Sequence, residues 1–157
     1  MTAYINNTLQ DQILRGELWT GNLSGQLNPG NAKVILISVG ASEVVFSPSV
    51  SPSGAVSLAL KEGVTTSADG VAITNYNMYR SSPTSLLTTT FSGPTITVAG
   101  TPVSTSRVAG SGYVNESTAF NADNGMVLQA STKYSFTLTV SDSAAVSYTI
   151  AWFLREL

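Results

Sequence analysis

The 157-residue chain contains neither histidine nor cysteine. Without His it lacks the usual general base near neutral pH and the commonest metal ligand. Without Cys it forms no disulfide, no thiolate nucleophile and no zinc–thiolate centre, and its stability is independent of redox compartment. Charge is scarce as well. Seven Lys and Arg against nine Asp and Glu leave a net charge of −2. The basic residues Arg15, Lys33, Lys61, Arg80, Arg107, Lys133 and Arg155 are scattered singly. Nucleic-acid binding needs several phosphates neutralised together, so that class is set aside. No apolar run approaches the roughly 20 residues that cross a bilayer. The opening MTAYINNTLQDQ has no basic stretch leading into an apolar one, so no secretory signal is read there. The expectation is a soluble protein made in the cytoplasm, with no nucleic-acid or membrane partner.

What is present suits a packed domain. Hydrophobic residues make up 43% of the chain and there are 13 glycines, a globular rather than a disordered composition. Residues 1–30 read as an N-terminal arm, with a short helix and an extended segment, and residues 31–157 as a β-sandwich domain. Asn7 is a natural N-cap and Asp11 falls in the first helical turn. Leu9 and Ile13 are spaced i,i+4 on one face, Leu14 lies beside them, and Gly16 is the expected stop. About two turns do not stand alone in water, so this helix docks on its own sandwich or on a partner subunit. Residues 17–20 read as extended, ahead of turn-rich stretches at 21–25 and 28–30. Leu9, Ile13, Leu14 and Trp19 are the candidate partner-binding residues.

From Lys33 onward the period is two. Residues 34–39 form a continuous apolar run, short enough for a strand covered on both faces. Val44-Val45-Phe46 is a second strand, and Val56, Leu58 and Leu60 alternate with small residues in a third. Asp69-Gly70 is a tight-turn signal leading into residues 71–74, with Tyr76, Met78 and Arg80 continuing that strand or lying along a loop. Residues 87–91 and 95–99 flank Gly93-Pro94 as strand, turn, strand. Residues 100–125 are the least regular and read as a long surface loop. At the end, Tyr134, Phe136, Leu138 and Val140 alternate with Ser and Thr, Asp142-Ser143-Ala144 turns, and Val146, Tyr148, Ile150 and Trp152 repeat the pattern. That pattern predicts a hairpin. About eight short strands at this spacing predict an all-β, antiparallel sandwich, jelly-roll-like, with a short N-terminal helical arm.

Catalytic constellations are thin. A Ser-His-Asp triad is excluded by the missing His, and no S-x-x-K sequence suggests a Ser-Lys nucleophile. A carboxylate pair of the glycosidase kind is allowed by the nine Asp and Glu. However, Asp69, Asp123 and Asp142 all sit in turn contexts, where Asp bonds its own backbone. Residues 121–125 (NADNG) share the start of a calcium loop but lack its distal acidic ligand, so an Asn-Gly turn is expected. No metal and no cofactor are expected, nor enzymatic activity. Tyr76, Tyr79, Tyr113 and Trp19 can stack on sugars or cover core edges, and core or interface is the expectation.

Several stretches carry a family resemblance. They are Leu9-Gln10-Asp11-Gln12-Ile13-Leu14-Arg15-Gly16-Glu17-Leu18-Trp19-Thr20, Ser57-Leu58-Ala59-Leu60-Lys61-Glu62-Gly63-Val64-Thr65, and Ala68-Asp69-Gly70-Val71-Ala72-Ile73-Thr74-Asn75-Tyr76-Asn77. Thr88-Thr89-Thr90-Phe91 with Pro94-Thr95-Ile96-Thr97 looks like a further strand pair. Leu128-Gln129-Ala130-Ser131-Thr132-Lys133-Tyr134 and the closing Trp152-Phe153-Leu154-Arg155-Glu156 complete the set. In this order they resemble the tailed-phage virion proteins that decorate or cement capsids. The resemblance covers most of the chain, with Val71 in place of the family's small polar residue and Met78-Tyr79-Arg80 interrupting its Asn/Arg pattern. It implies a non-enzymatic β-sandwich that binds the outside of a capsid in many copies as a dimer or trimer, with the major capsid protein as partner. It places the protein on the virion surface after synthesis in the host cytoplasm. The alternative is a tail or head-fibre component that binds host-surface glycans.

Overall fold

The computed structural model describes residues 9–109 and 125–157. A short helix, α1 (Leu9–Leu14), precedes four long strands: β1 (Trp19–Leu27), β2 (Ala32–Ser38), β3 (Val44–Pro52) and β4 (Val56–Glu62). A series of short strands follows: β5 (Thr65–Ala68), β6 (Val71–Ile73), β7 (Tyr76–Asn77), β8 (Thr89–Ser92) and β9 (Thr95–Val98). The chain closes with β10 (Thr101–Val108), β11 (Met126–Leu128), β12 (Lys133–Val140) and β13 (Val146–Glu156). All pairings are antiparallel. One sheet runs β11-β3-β13-β1-β7, the second β10-β4-β12-β2-β8-β6, and β5-β9 form a separate ribbon.

The two large sheets share one core. Phe46, Val50, Tyr148, Ile150, Trp152 and Leu154 come from the first sheet, and Ile35, Ile37, Leu58, Leu60, Phe136 and Leu138 from the second. Phe46 meets Phe136 edge to face at 5.8 Å between ring centroids, a contact that spans the sheets. Each fully buried Leu, Ile or Phe is worth about 1.5–3 kcal/mol, so alternation along both sheets is what drives their union. The sandwich is therefore all-β and antiparallel, as the period-two pattern predicts.

The termination of α1 follows from its sequence. The Glu17 amide donates to the Gln12 carbonyl and the Gly16 amide to the Ile13 carbonyl, with Gly16 at φ +69°. This is a Schellman closure, and Gly16 supplies the left-handed residue that it requires. The N-cap expected at Asn7 lies outside the described residues.

Four expectations are corrected by the backbone pairing. The end of the chain is not a hairpin: β12 pairs with β2 and β4, whereas β13 pairs with β1 and β3. Alternation gives each strand one apolar face, and two such faces are buried equally well across a sandwich as side by side. Residues 87–91 and 95–99 do not pair with each other either, because β8 joins β2 and β9 joins β5. The loop expected after residue 100 is in its first part β10, whose Ser/Thr-rich residues form an edge against β4. The remainder of that segment, with Tyr113 and Asp123, lies outside the described residues.

The last correction concerns residues 19–27, read as an extended piece and a turn within the arm. They are one strand, paired with β13 from Trp19↔Leu154 to Leu27↔Val146. The glycines that suggest a turn sit opposite large rings, Gly21 facing Trp152 and Gly25 facing Tyr148. A Cβ at Gly21 would lie 2.6 Å from the Trp152 ring, and one at Gly25 would lie 2.8 Å from the Tyr148 hydroxyl. Glycine in these positions makes room for the neighbouring aromatic rather than for a turn.

Candidate functional site

Between β4 and β10 the chain leaves the sandwich and returns, since Glu62 and Thr101 are paired at the two ends of this excursion. It adds β8 and then β6 beyond β2, and β7 beyond β1. The chain thus crosses from one sheet to the other between β6 and β7. Asn75 stands at the crossing. Its Oδ1 accepts the Trp152 indole N–H at 2.9 Å, and its Nδ2 donates to Thr90 Oγ1 at 2.9 Å. Thr90 Oγ1 in turn donates to the Ile73 carbonyl at 3.3 Å. One amide side chain therefore ties the core tryptophan of the first sheet to a strand of the second.

Three further ties hold the segment that follows. Asn77 Nδ2 donates to the Gly16 carbonyl at 2.8 Å, while its Oδ1 accepts the Tyr79 amide at 2.8 Å. The Met78 amide donates to the Leu18 carbonyl at 2.9 Å, so the end of α1 is joined to the excursion. Glu156, on β13, accepts the Leu87 amide at 2.6 Å and the Thr88 amide at 3.0 Å with one carboxylate oxygen.

These ties frame two open grooves that share Ala72 and Ile73 of β6 in their walls. One, of ≈ 400 Å³, lies between the β6–β7 crossing and residues 84–90, with Trp19 and Leu86 among its walls. The other, of ≈ 470 Å³, lies along Leu23, Ala72, Thr74 and Tyr76. The Tyr76 ring is 52% exposed, and the Arg80 guanidinium sits over it at 5.2 Å. Thr88 is 1% exposed, lines the first groove, and its Oγ1 has no hydrogen-bond partner.

The candidate partner-binding residues are dispersed. Trp19 lies in the chain's own core at 4% exposure. Ile13 is half-buried and Leu14 is 62% exposed. The side chain of Leu9 lies outside the described residues. Tyr79 is exposed on the loop after β7.

Acidic residues serve the framework. Asp142 accepts the Ser143 amide at 2.7 Å and the Ala55 amide at 3.2 Å. Those backbone donors, Ala55 first, hold its carboxyl below the ordinary value. This is the turn chemistry expected of it. Asp69 departs from that expectation. It is paired with Lys133 Nζ at 2.6 Å and also accepts a hydrogen bond from Thr66. The Lys133 hydrogen bond, then that of Thr66, lowers its pKa. Lys133 reaches these partners from the outer face of β12. The β5–β9 ribbon is thereby fastened over a face where Leu36 and Ser135 are also buried. Burial pushes the phenols of Tyr134 and Tyr148 upward.

Chemically, the corner presents hydroxyls, amides and apolar walls, and no Asp, Glu, Lys or Arg lines either groove. Among the described residues no three His, Cys, Asp or Glu gather to hold a metal ion, and no helix is long and apolar enough to cross a membrane. Sequence reasoning passed over Asn75, Thr88 and Glu156. The hydroxyl-rich run from Ser81 to Thr90 hints at Thr88 alone, and it reads equally as a polar loop. No protein-family model and no curated protein matches the chain.

Proposed function

We propose that this chain is a non-enzymatic structural protein of a tailed-phage virion, with jelly-roll architecture, bound in many copies to the outside of the capsid as a homo-oligomer. The strand order carries the reading. Eight strands build the central part of the sandwich: β1, β2, β3, β4, β10, β11, β12 and β13. Numbered in chain order, they run first-eighth-third-sixth in one sheet and second-seventh-fourth-fifth in the other. That nesting supports a reading as two interlocked Greek keys, an architecture that recurs in viral capsid and lectin domains. The family resemblance supports the same reading, and parts of the stretches that carry it fall at the ends of elements. Glu62 closes β4, Asp69-Gly70 turns into β6, and Trp152-Phe153-Leu154-Arg155-Glu156 closes β13.

Physically, a cement adds contacts across the boundaries between shell subunits. Each contact is weak, and an oligomer that grips several sites gains through effective concentration. The exposed Leu14 at the end of α1 is an apolar side chain available for such a contact, with the major capsid protein or with a neighbouring copy. The test is to mix the purified protein with expanded, undecorated capsids of the phage that encodes it and to sediment and image the particles. Ordered density on the outer surface and a higher disruption temperature are expected. A protein that stays in the supernatant at every concentration overturns the proposal.

A further inference from the structure

We infer that the groove between the β6–β7 crossing and residues 84–90 is a binding site for a neutral saccharide unit. The inference stands apart from the capsid reading, since it concerns a different surface and a different ligand.

Its walls are fixed before any ligand arrives. Asn75 is held by Trp152 and Thr90, Asn77 by Gly16 and Tyr79, and the backbone at Leu87 and Thr88 by Glu156. A pre-ordered wall loses little freedom on binding. The volume, ≈ 400 Å³, falls within the range of about 300–1,000 Å³ common for small-ligand sites.

The lining selects the chemistry. Leu86 offers apolar surface, and the exposed Thr84, Ser85 and Thr89 offer hydroxyls that both donate and accept. No Asp, Glu, Lys or Arg lines the groove, so an anionic or cationic ligand would be desolvated without a counter-charge. A ligand that joins C–H surface to several hydroxyls, without charge, is the complement, and a pyranose has that character.

One group asks for a partner. The Thr88 hydroxyl is buried on this wall with nothing to bond. Buried polar groups are almost always satisfied by protein or by ordered water. Its oxygen is out of reach of solvent as it stands, and a saccharide hydroxyl completes it once the Thr88 side chain turns toward the groove. The second groove, which shares Ala72 and Ile73 with the first, likewise has no Asp, Glu, Lys or Arg in its lining and includes the exposed Tyr76. Arg80 keeps that ring in place from one side, so a longer chain of sugars has an aromatic surface beside it.

The test is a glycan array carrying neutral, sialylated and sulfated oligosaccharides, followed by calorimetric titration with the neutral glycan bound best. Two variants accompany it, Thr88→Val and Ser85→Glu, each checked by thermal melting. Neutral glycans are expected to bind the unmodified protein, and both variants to lose at least tenfold in affinity. Thr88→Val is expected to melt no lower than the parent, because it removes an unpaired hydroxyl while keeping the shape. Ser85→Glu places a charge at an exposed position of the lining and leaves the core untouched. The inference is overturned if no neutral glycan binds, if only charged glycans bind, or if either variant binds within twofold of the parent.

Discussion

Replacing Gly21 by alanine tests how the two sheets are joined. The backbone at this position is ordinary strand, so alanine meets no conformational penalty and its cost is steric alone. The added Cβ would stand 2.5 Å from Asn75 Oδ1 and 2.6 Å from two carbons of the Trp152 ring. The ring and the amide must each retreat by the better part of an ångström, and neither is the loose end of a flexible chain. Overpacking of this kind costs about 1–3 kcal/mol. Parting Trp152 Nε1 from Asn75 adds about 0.5–1.5 kcal/mol. The stiffer unfolded chain returns about 0.4–1 kcal/mol. The net expectation is a loss of roughly 0.5–4 kcal/mol, or roughly 1–16 °C in Tm at about 2–4 °C per kcal/mol for a domain of this size. The assay is thermal unfolding followed by tryptophan fluorescence, for which Trp19 and Trp152, both in the core, are native reporters. A Gly21→Ser variant, larger and more polar, should fall further in the same direction. A Gly21→Ala protein that melts with the parent, with an unshifted emission spectrum, would show that Asn75 and Trp152 do not meet as described.

Three other outcomes are expected. Asp69 and Asp142 have lowered pKa values, so their stabilisation is present above the unfolded value of 3.8 and lost as pH falls through the lowered folded values. Tyr134 and Tyr148 are raised above 10.0, so the unfolded chain ionises first and stability declines as pH rises past that value. With no histidine, Tm is level between about pH 5 and pH 9, and a step inside that interval in a melting series contradicts the assignment. Glu156→Ala releases the Leu87 and Thr88 amides and costs about 1.5–3 kcal/mol, whereas Glu156→Gln keeps an acceptor and loses less. Hydrogen exchange at those two amides reports it, and unchanged protection in the alanine variant would refute the tether. Leu14→Asp, at an exposed site, shifts stability by no more than about 0.5 kcal/mol and weakens retention on capsids. Full retention would remove α1 from the contact.

Most of the strands are legible in the sequence because burial at every second residue is a local property. β4 and β12 bury Val56, Leu58 and Leu60, and Tyr134, Phe136, Leu138 and Val140, as alternation predicts. What each strand pairs with is not local. Val146, Tyr148, Ile150 and Trp152 have the same pattern whether β13 folds back on β12 or faces it across the core. The strand expected at Val44–Phe46 is longer than that reading, since β3 continues through Pro48 and Pro52. Among the described residues β11 pairs only Val44–Phe46 on that side, and a proline without an N–H is tolerated where a ladder ends. Gly21 and Gly25 mislead, because their role is defined by rings more than a hundred residues away. The groove at Thr88 is assembled from β1, β6, β7 and β8, and no spacing in the chain announces it.

The pairing of β1 with β13 sets the order in which this molecule can be completed. Residues 19–27 are made more than a hundred residues before their partners at 146–154. Until then β1 is a finished strand whose main neighbour does not exist. The sheet that contains it closes only after synthesis has passed Leu154, at a rate of about 5–20 residues per second. The first sheet therefore waits on its last strand, while β2 and β4 await β12 between them. A topology that depends on such distant partners folds on a scale of about milliseconds to seconds. During that interval the unpaired edge of β1 faces the cell, with Asn22, Ser24 and Gln26 alternating along it as polar spacers that discourage pairing with a stranger.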